Sequence, residues 1–306
     1  MPLIYSIIAP LIIISSVAVY QGEAFTAIET ARLLQNCMLI AGIGTHLQLY
    51  PIWKIGSGLP VVMVISFTFL AACLATASQD YGIMVGAIIV GGCFEGVLGL
   101  TAKYWRKIIS PIVSACVVVS IGLSILNVGV SSFGSSSAYP LGSWQNLLVA
   151  TITLAAALSG GVFGCSPITS FSQNVGLISM THVVNRFTIM FGALAMILGG
   201  LFPPFGAFFT TLPDCVLGGC TVIMFGSIMM SGVRMMHDAG MDQRNTLIAA
   251  TSICLGVGVT QADGFFNELP SFIGDIFAGN MVAGVFVVGL ILDLCLPRDH
   301  SHYTSM

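Results

Sequence analysis

The sequence predicts an all-α membrane protein, and three observations carry that reading. Of its 306 residues, 56% are hydrophobic and only 7% charged, with a mean hydropathy of +0.99. A soluble domain carries about a quarter charged residues, so no soluble fold hides this much apolar surface. The apolar residues also fall into runs of about twenty, the length that crosses ~30 Å of hydrocarbon as a helix. Finally, the few charges gather between the runs, most densely at Lys103, Arg106 and Lys107. The formal net charge of −3 comes with no basic stripe, so no nucleic acid is expected as a partner. Nine cysteines lie singly in or at the ends of apolar runs, without a CxxC pair or a disulfide framework. Met1 leads at once into apolar sequence, with no cleavable signal pattern.

Taken in order, Pro2 to Tyr20 is a first span, with Pro10 inside it. A polar loop with Glu23, Glu29 and Arg32 follows, then a second span from Leu33 to Tyr50. Leu59 to Ala77 is a third, with Ser66, Phe67, Thr68 and Phe69 near its middle. Tyr81 to Leu100 is a fourth, rich in glycines that let helices approach closely. Ile108 to Val130 and Gln145 to Gly164 are the fifth and sixth, separated by an uncharged Ser/Gly loop. A polar stretch then runs to Arg186 as a seventh. Phe187 to Phe209 is an eighth, kinked at Pro203-Pro204, and Cys215 to Val233 a ninth. Arg234, His237, Asp238, Asp242 and Arg244 form a charged connection to a tenth, Asn245 to Val259. After a re-entrant segment from Asp263 to Asp275, Gly279 to Leu296 is the last, giving about eleven spans.

Charge placement tests this count, because Lys and Arg favour cytoplasmic loops. Lys54 and the Lys103–Lys107 cluster are two spans apart and share a side. Arg186, the Arg234/Arg244 connection and Arg298 likewise share a side. Three spans separate Lys107 from Arg186, so the two halves disagree. Either Gln145 to Arg186 makes one net crossing, or an odd number of spans is missing there.

Gly164 to Arg186, GCSPITSFSQNVGLISMTHVVNR, is the stretch a lipid-facing helix does not explain. It sets Pro167 beside Thr169, Ser170, Ser172, Gln173 and Asn174. Polar groups at membrane depth are costly unless they face a cavity, a partner helix or a ligand. Two readings stay level on physical grounds. One is a solute site at a broken helix, and the other is polar glue between helices.

SFSQNVGLISMTHVVNR resembles the signature of the nucleobase–ascorbate transporters, the nucleobase:cation symporter-2 family. Its pattern, Q/E-N-x-G-x-x-x-x-T-x-x-x-S/N-R, is filled in register by Gln173, Asn174, Gly176, Thr181, Asn185 and Arg186. Gly56 to Phe69 looks like the family's third helix, Leu212 to Met235 like its twelfth, and Arg244-Asn245 like the start of its thirteenth. The resemblance implies a 7+7 inverted-repeat fold with core and gate domains, here about 11 spans instead of 14. It implies that helices three and ten are interrupted and that the solute sits between them. By this mapping, 1–130 is the remnant of helices one to five, and 131–164 is helix six joined to the end of helix nine. Core helices ten and eleven occupy 165–209, and 210–306 holds gate-like helices twelve to fourteen and the tail. The chain departs from the family where it opens within helix one without the usual Gln-His pair. Helices seven, eight and most of nine are also missing, and with helix eight goes the family's principal glutamate. Val64-Ile65 stand where many relatives have Gly-Thr.

Gln173 is the foremost site residue, since an amide matches the N–H and C=O edge of an oxopurine. In the family, Gln at this place accompanies purines and Glu uracil. Asn174 orients its neighbour or touches ligand. The backbone at Phe171 and Ser172 becomes free to bond a base if the helix breaks there. Phe67, beside Ser66, is placed to stack on a purine or simply to pack. Glu95 lies inside an apolar run and reads either as a proton relay or as an acid toward the basic-loop end of its span, within snorkelling reach or near Lys103 and Arg106. Asp293 and His182 read as interfacial, His46 as a satisfied packing histidine, and Gly91-Gly92 and Gly218-Gly219 as close-packing points.

The expectation is a secondary active transporter of nucleobases, of xanthine or uric acid type, working by proton symport with Na⁺ as the alternative ion. It is multi-pass in the plasma (inner) membrane, with a homodimer allowed for. No enzymatic constellation, cofactor or metal is expected. The rival reading is a non-transporting truncated relative, an inactive fragment or partner of a full-length homologue. A third, an anion transporter or channel on the same fold, gives no reason for the Gln-Asn motif.

Overall fold

The computed structural model describes residues 26–52, 58, 62–63, 73, 81–105, 108–134, 139–162, 186–262, 265–266, 274, 276–277 and 280–297. Among them are ten helices: α1 (Ala27–Leu49), α2 (Tyr81–Trp105), α3 (Pro111–Ser124), α4 (Leu126–Phe133), α5 (Trp144–Val162), α6 (Arg186–Leu201), α7 (Pro203–Thr210), α8 (Asp214–Asp238), α9 (Gln243–Gln261) and α10 (Met281–Cys295). Three stretches, Gly82–Thr101, Pro111–Phe133 and Cys215–Asp238, are long and apolar enough to cross a membrane. The chain is thus a helical membrane protein. Pro2 to Tyr20 lies outside the described residues.

Helix ends differ from the sequence expectation where a cap or a breaker acts. α1 starts at Ala27, not Leu33, because Thr26 and Glu29 form a capping box. The Thr26 hydroxyl accepts from the Glu29 N–H at 3.3 Å, and the Glu29 carboxylate accepts from the Thr26 N–H at 2.9 Å. Glu29 and Arg32 therefore ride on the helix rather than in a loop. The bond from the Thr26 N–H, and then that from its hydroxyl, hold the Glu29 carboxyl below the usual glutamate range, with the Arg32 charge adding to them.

The expected fifth span begins at Pro111, at a first-turn position where its missing N–H costs nothing, and is broken at Ile125. Pro203-Pro204 end one helix and begin another rather than kinking a single one. α8 continues through Arg234 and His237 to Asp238, and Gly240, with φ +84°, stops it. Asp242 then caps α9 by accepting the Asn245 N–H at 3.0 Å, and Asn280 caps α10 through the Ala283 N–H at 3.1 Å.

Two compact units divide the chain. The first holds Met1–Ala87 and Ile125–Ser227. In it α1 packs along α6, and α7 packs on both. Small residues set the approach: a methyl on Gly42 would sit 2.9 Å from the Ala193 carbonyl oxygen, and one on Gly200 would sit 2.8 Å from the Leu39 nitrogen. The start of α8 meets α4 and α5 the same way, with Gly218 against the Ser132–Phe133 backbone and Gly219 against Ala150 and Thr153. Buried Asn146 donates to the carbonyls of Gly134 at 3.0 Å and Pro140 at 3.2 Å, closing the connection before α5.

The second unit holds Ile88–Ser124 and Ile228–Met306. α3, α9 and α10 pack together around Ile112, Val113, Cys116, Val119, Ile248 and Val285, with Met236 of α8 added. Gly122 meets Met229, Gly232 meets Val119, and Gly256 meets Val285. Within a bilayer, van der Waals packing at such close approaches holds helices together, since lipid is as apolar as leucine. Buried hydroxyls here turn back to their own helix, Ser120 to Val117 O at 2.7 Å and Ser252 to Ala249 O at 3.3 Å.

Candidate functional site

The six residues singled out from the sequence, Ser66, Phe67, Phe171, Ser172, Gln173 and Asn174, lie outside the described residues. What the structure gives is the scaffold on which both candidate segments end. One segment approaches through Gly58, Val62 and Met63, and Ser66 follows Met63 by three residues. The other ends at Arg186, the first residue of α6.

These flanks converge within the first unit. Buried Val62 packs with Ala41 of α1 and with Ala193 and Met196 of α6, and Ile189 packs against the same cluster. Met63 lies beside Gly44, whose added methyl would stand 3.4 Å from the Met63 Cβ. Val62 and Met63 are not helical, although the sequence reading placed both inside a span running from Leu59 to Ala77. Their backbone groups therefore need partners from elsewhere. The Gly58 N–H bonds to the Gln48 carbonyl at 2.9 Å, with Gly58 at φ +70°, a conformation glycine adopts readily. The Met63 N–H bonds to the hydroxyl of Thr45 at 2.9 Å. Nearby, the Tyr50 hydroxyl reaches the Met190 sulfur of α6 at 3.5 Å.

Thr45 was not singled out from the sequence. A lone threonine in an apolar run ordinarily returns its hydroxyl to its own helix, and nothing in the run signals a partner eighteen residues on. The neighbouring His46 is half-buried, and among the described residues its Nδ1 has no hydrogen-bond partner, unlike the satisfied histidine the sequence suggested.

Asp293, in the last turn of α10, is buried within the protein, and its Oδ1 accepts from Arg244 Nη2 at 2.9 Å. The same guanidinium donates to the carbonyls of Asp293 at 2.6 Å and Leu296 at 3.2 Å. Arg244 thus ties the first turn of α9 to the end of α10, where a helix terminus carries unbonded carbonyls and partial negative charge. The sequence reading had set Arg244 in a connection and at the start of a helix, and only the second placement holds. Glu95 is exposed on α2, as are its neighbours from Gly86 to Leu100. Gly91-Gly92 face open space and are not close-packing points, unlike Gly218-Gly219.

The sequence matches the Permease family model Xan_ur_permease in two pieces, residues 4–160 and 157–265. It is similar to xanthine permease XanQ of Escherichia coli (strain K12), 26% identical over 399 aligned positions that take in 90% of this chain and 85% of the relative. A putative purine permease of Clostridium perfringens (strain 13 / Type A) is 26% identical over 402 positions, with 96% of this chain and 87% of the relative covered. A xanthine permease of Bacillus subtilis (strain 168) is 40% identical over 132 residues, 43% of this chain and 30% of that one. The alignment to XanQ has 399 positions against 306 residues here, so at least 93 of them (399 less 306) stand opposite gaps. The two family pieces meet at residues 157–160, beside Leu158-Ser159. With the family model matching most of the sequence and permeases aligned along nearly all of it, the chain belongs to the nucleobase–ascorbate transporter family.

Proposed function

We propose that this protein is a secondary active transporter of nucleobases, of the xanthine or uric acid type, working by alternating access and proton symport as a multi-pass protein of the plasma (inner) membrane. The signature from Gln173 to Arg186, complete and in register, carries the reading. Permeases named for xanthine and purine support it along most of the chain. In this reading the Gln173 amide pairs with the N–H and C=O edge of the base, the Phe171–Ser172 backbone adds bonds, and Phe67 stacks on the ring beside Ser66. Asn174 holds Gln173 in orientation. In this reading residues 157–160, where the two matches to the family model overlap, join helix six to the end of helix nine. The glutamate of helix eight is then absent, and the proton is carried by a different group.

The direct test is xanthine binding by the purified protein and its Gln173→Ala variant. The account expects binding by the native chain and at least about a tenfold loss in the variant, the scale of an unmade buried hydrogen-bonding edge. Equal affinity in a variant that reaches the membrane normally would make the amide a packing element.

A further inference from the structure

The non-helical backbone at Gly58 and Met63 is held at two points, and they differ in kind. The Gly58 N–H goes to a backbone carbonyl, that of Gln48, which any residue at that position supplies. The Met63 N–H goes to a side chain, the Thr45 hydroxyl, at 2.9 Å. Thr45 is fully buried, and its hydroxyl donates to the Ala41 carbonyl at 2.7 Å. A hydroxyl has one proton to give and lone pairs to receive, so it makes both bonds at once. The donation to Ala41 fixes the rotamer, and a lone pair is left facing Met63. The Met63 carbonyl stands 3.4 Å from the same oxygen, so both polar groups of Met63 lie at this one side chain.

We infer that Thr45 is a positioning residue for solute binding: its hydroxyl fixes the backbone at Met63 against α1, three residues before Ser66 in the sequence. The inference rests on the proposed solute site. Three constraints act on the same two residues. Val62 is buried against Ala41, Ala193 and Met196, Met63 lies beside Gly44, and the Met63 N–H is bonded to Thr45. Apolar packing sets no direction. A bond to one hydroxyl does, and the complete burial of Thr45 keeps water from replacing it. Through Val62 the segment is also registered on α6, the helix that follows the Gln173 signature. Thr45 therefore acts on the flanks of both candidate segments.

The experiment is amide hydrogen exchange on the full chain in lipid nanodiscs, resolved at Met63, combined with xanthine binding. Native protein and Thr45→Ser should protect the Met63 amide. Thr45→Val, nearly isosteric but without the hydroxyl, should speed its exchange about tenfold and weaken xanthine binding about tenfold at unchanged membrane abundance. Thr45→Ser should bind within about twofold of native, because it keeps the bond. An unprotected Met63 amide in the native chain overturns the inference without recourse to any variant. So does unchanged exchange in Thr45→Val, or faster exchange with unchanged affinity. If Met63 responds as expected but the native chain binds no xanthine, the solute reading has failed, and the positioning role falls with it while the bond itself stands.

Discussion

α2 and the α3–α4 stretch are both long and apolar, yet one is nearly bare and the other is mostly buried. Of the hydrophobic stretch Gly82–Thr101 only 6% is buried, against 69% of Pro111–Phe133. Glycine use follows the same divide. On α2, Gly86, Gly91, Gly92, Gly96 and Gly99 have open space where a side chain would go. On α3 and the helices packed in its unit, Gly122, Gly232 and Gly256 touch backbone or side chains of a neighbour. A glycine-rich apolar run is therefore compatible with a packed helix or a lipid-facing one. What decides is whether the glycines fall opposite another helix, and composition does not report that.

The largest effect expected on the packed side comes from Arg244→Ala. It leaves the buried Asp293 carboxylate without its guanidinium and frees the end of α10, a loss of about 3–5 kcal/mol for a broken buried pair. Thermal unfolding of the purified protein should show a steep fall in midpoint. Asp293→Asn should cost less, because the backbone carbonyls still receive Arg244. A small shift in Arg244→Ala would mean that α9 and α10 are held by packing alone.

The glycine contrast gives the intermediate test. Gly219→Ala places a methyl 2.8 Å from the Ala150 oxygen and should destabilise by about 1–3 kcal/mol, as overpacking does. Gly92→Ala and Gly96→Ala on α2 should cause no loss of thermal midpoint. If the α2 substitutions were as harmful, that face would be packed against another chain in the membrane.

The smallest effect lies at the exposed start of α1. Because the folded state holds the Glu29 carboxyl below its usual range, Glu29 stabilises the helix start above that range, and the contribution fades as pH falls through the lowered value. The advantage of the native chain over Glu29→Gln in thermal midpoint should be present at neutral pH and vanish in acid. An advantage that persists there would assign the effect to something other than the carboxylate.

Much of the helical plan was legible because apolar runs of spanning length leave little else to form. α5, α9 and α10 begin and end within two residues of their apolar runs. The signature from Gln173 to Arg186 was legible through its resemblance to the family pattern, since its polar residues alone left a solute site and helix glue level. Less visible were features that depend on one bond. Thr26 and Glu29 stand in capping-box spacing, but their polarity reads as a loop. Arg244 and Asp293 meet across 49 residues of chain. Thr45 is one hydroxyl among apolar neighbours, and its importance comes from a non-helical backbone that only the fold brings to it.

The central claim is that a chain lacking at least 93 positions of its relative XanQ still moves a nucleobase. Uptake of radiolabelled xanthine by the purified protein in proteoliposomes, with an imposed inward proton gradient, tests it directly. The account predicts saturable uptake that uric acid competes away, that collapses with a protonophore and that Gln173→Ala abolishes. No uptake above empty liposomes, with the protein inserted in both orientations and thermally folded, would contradict it.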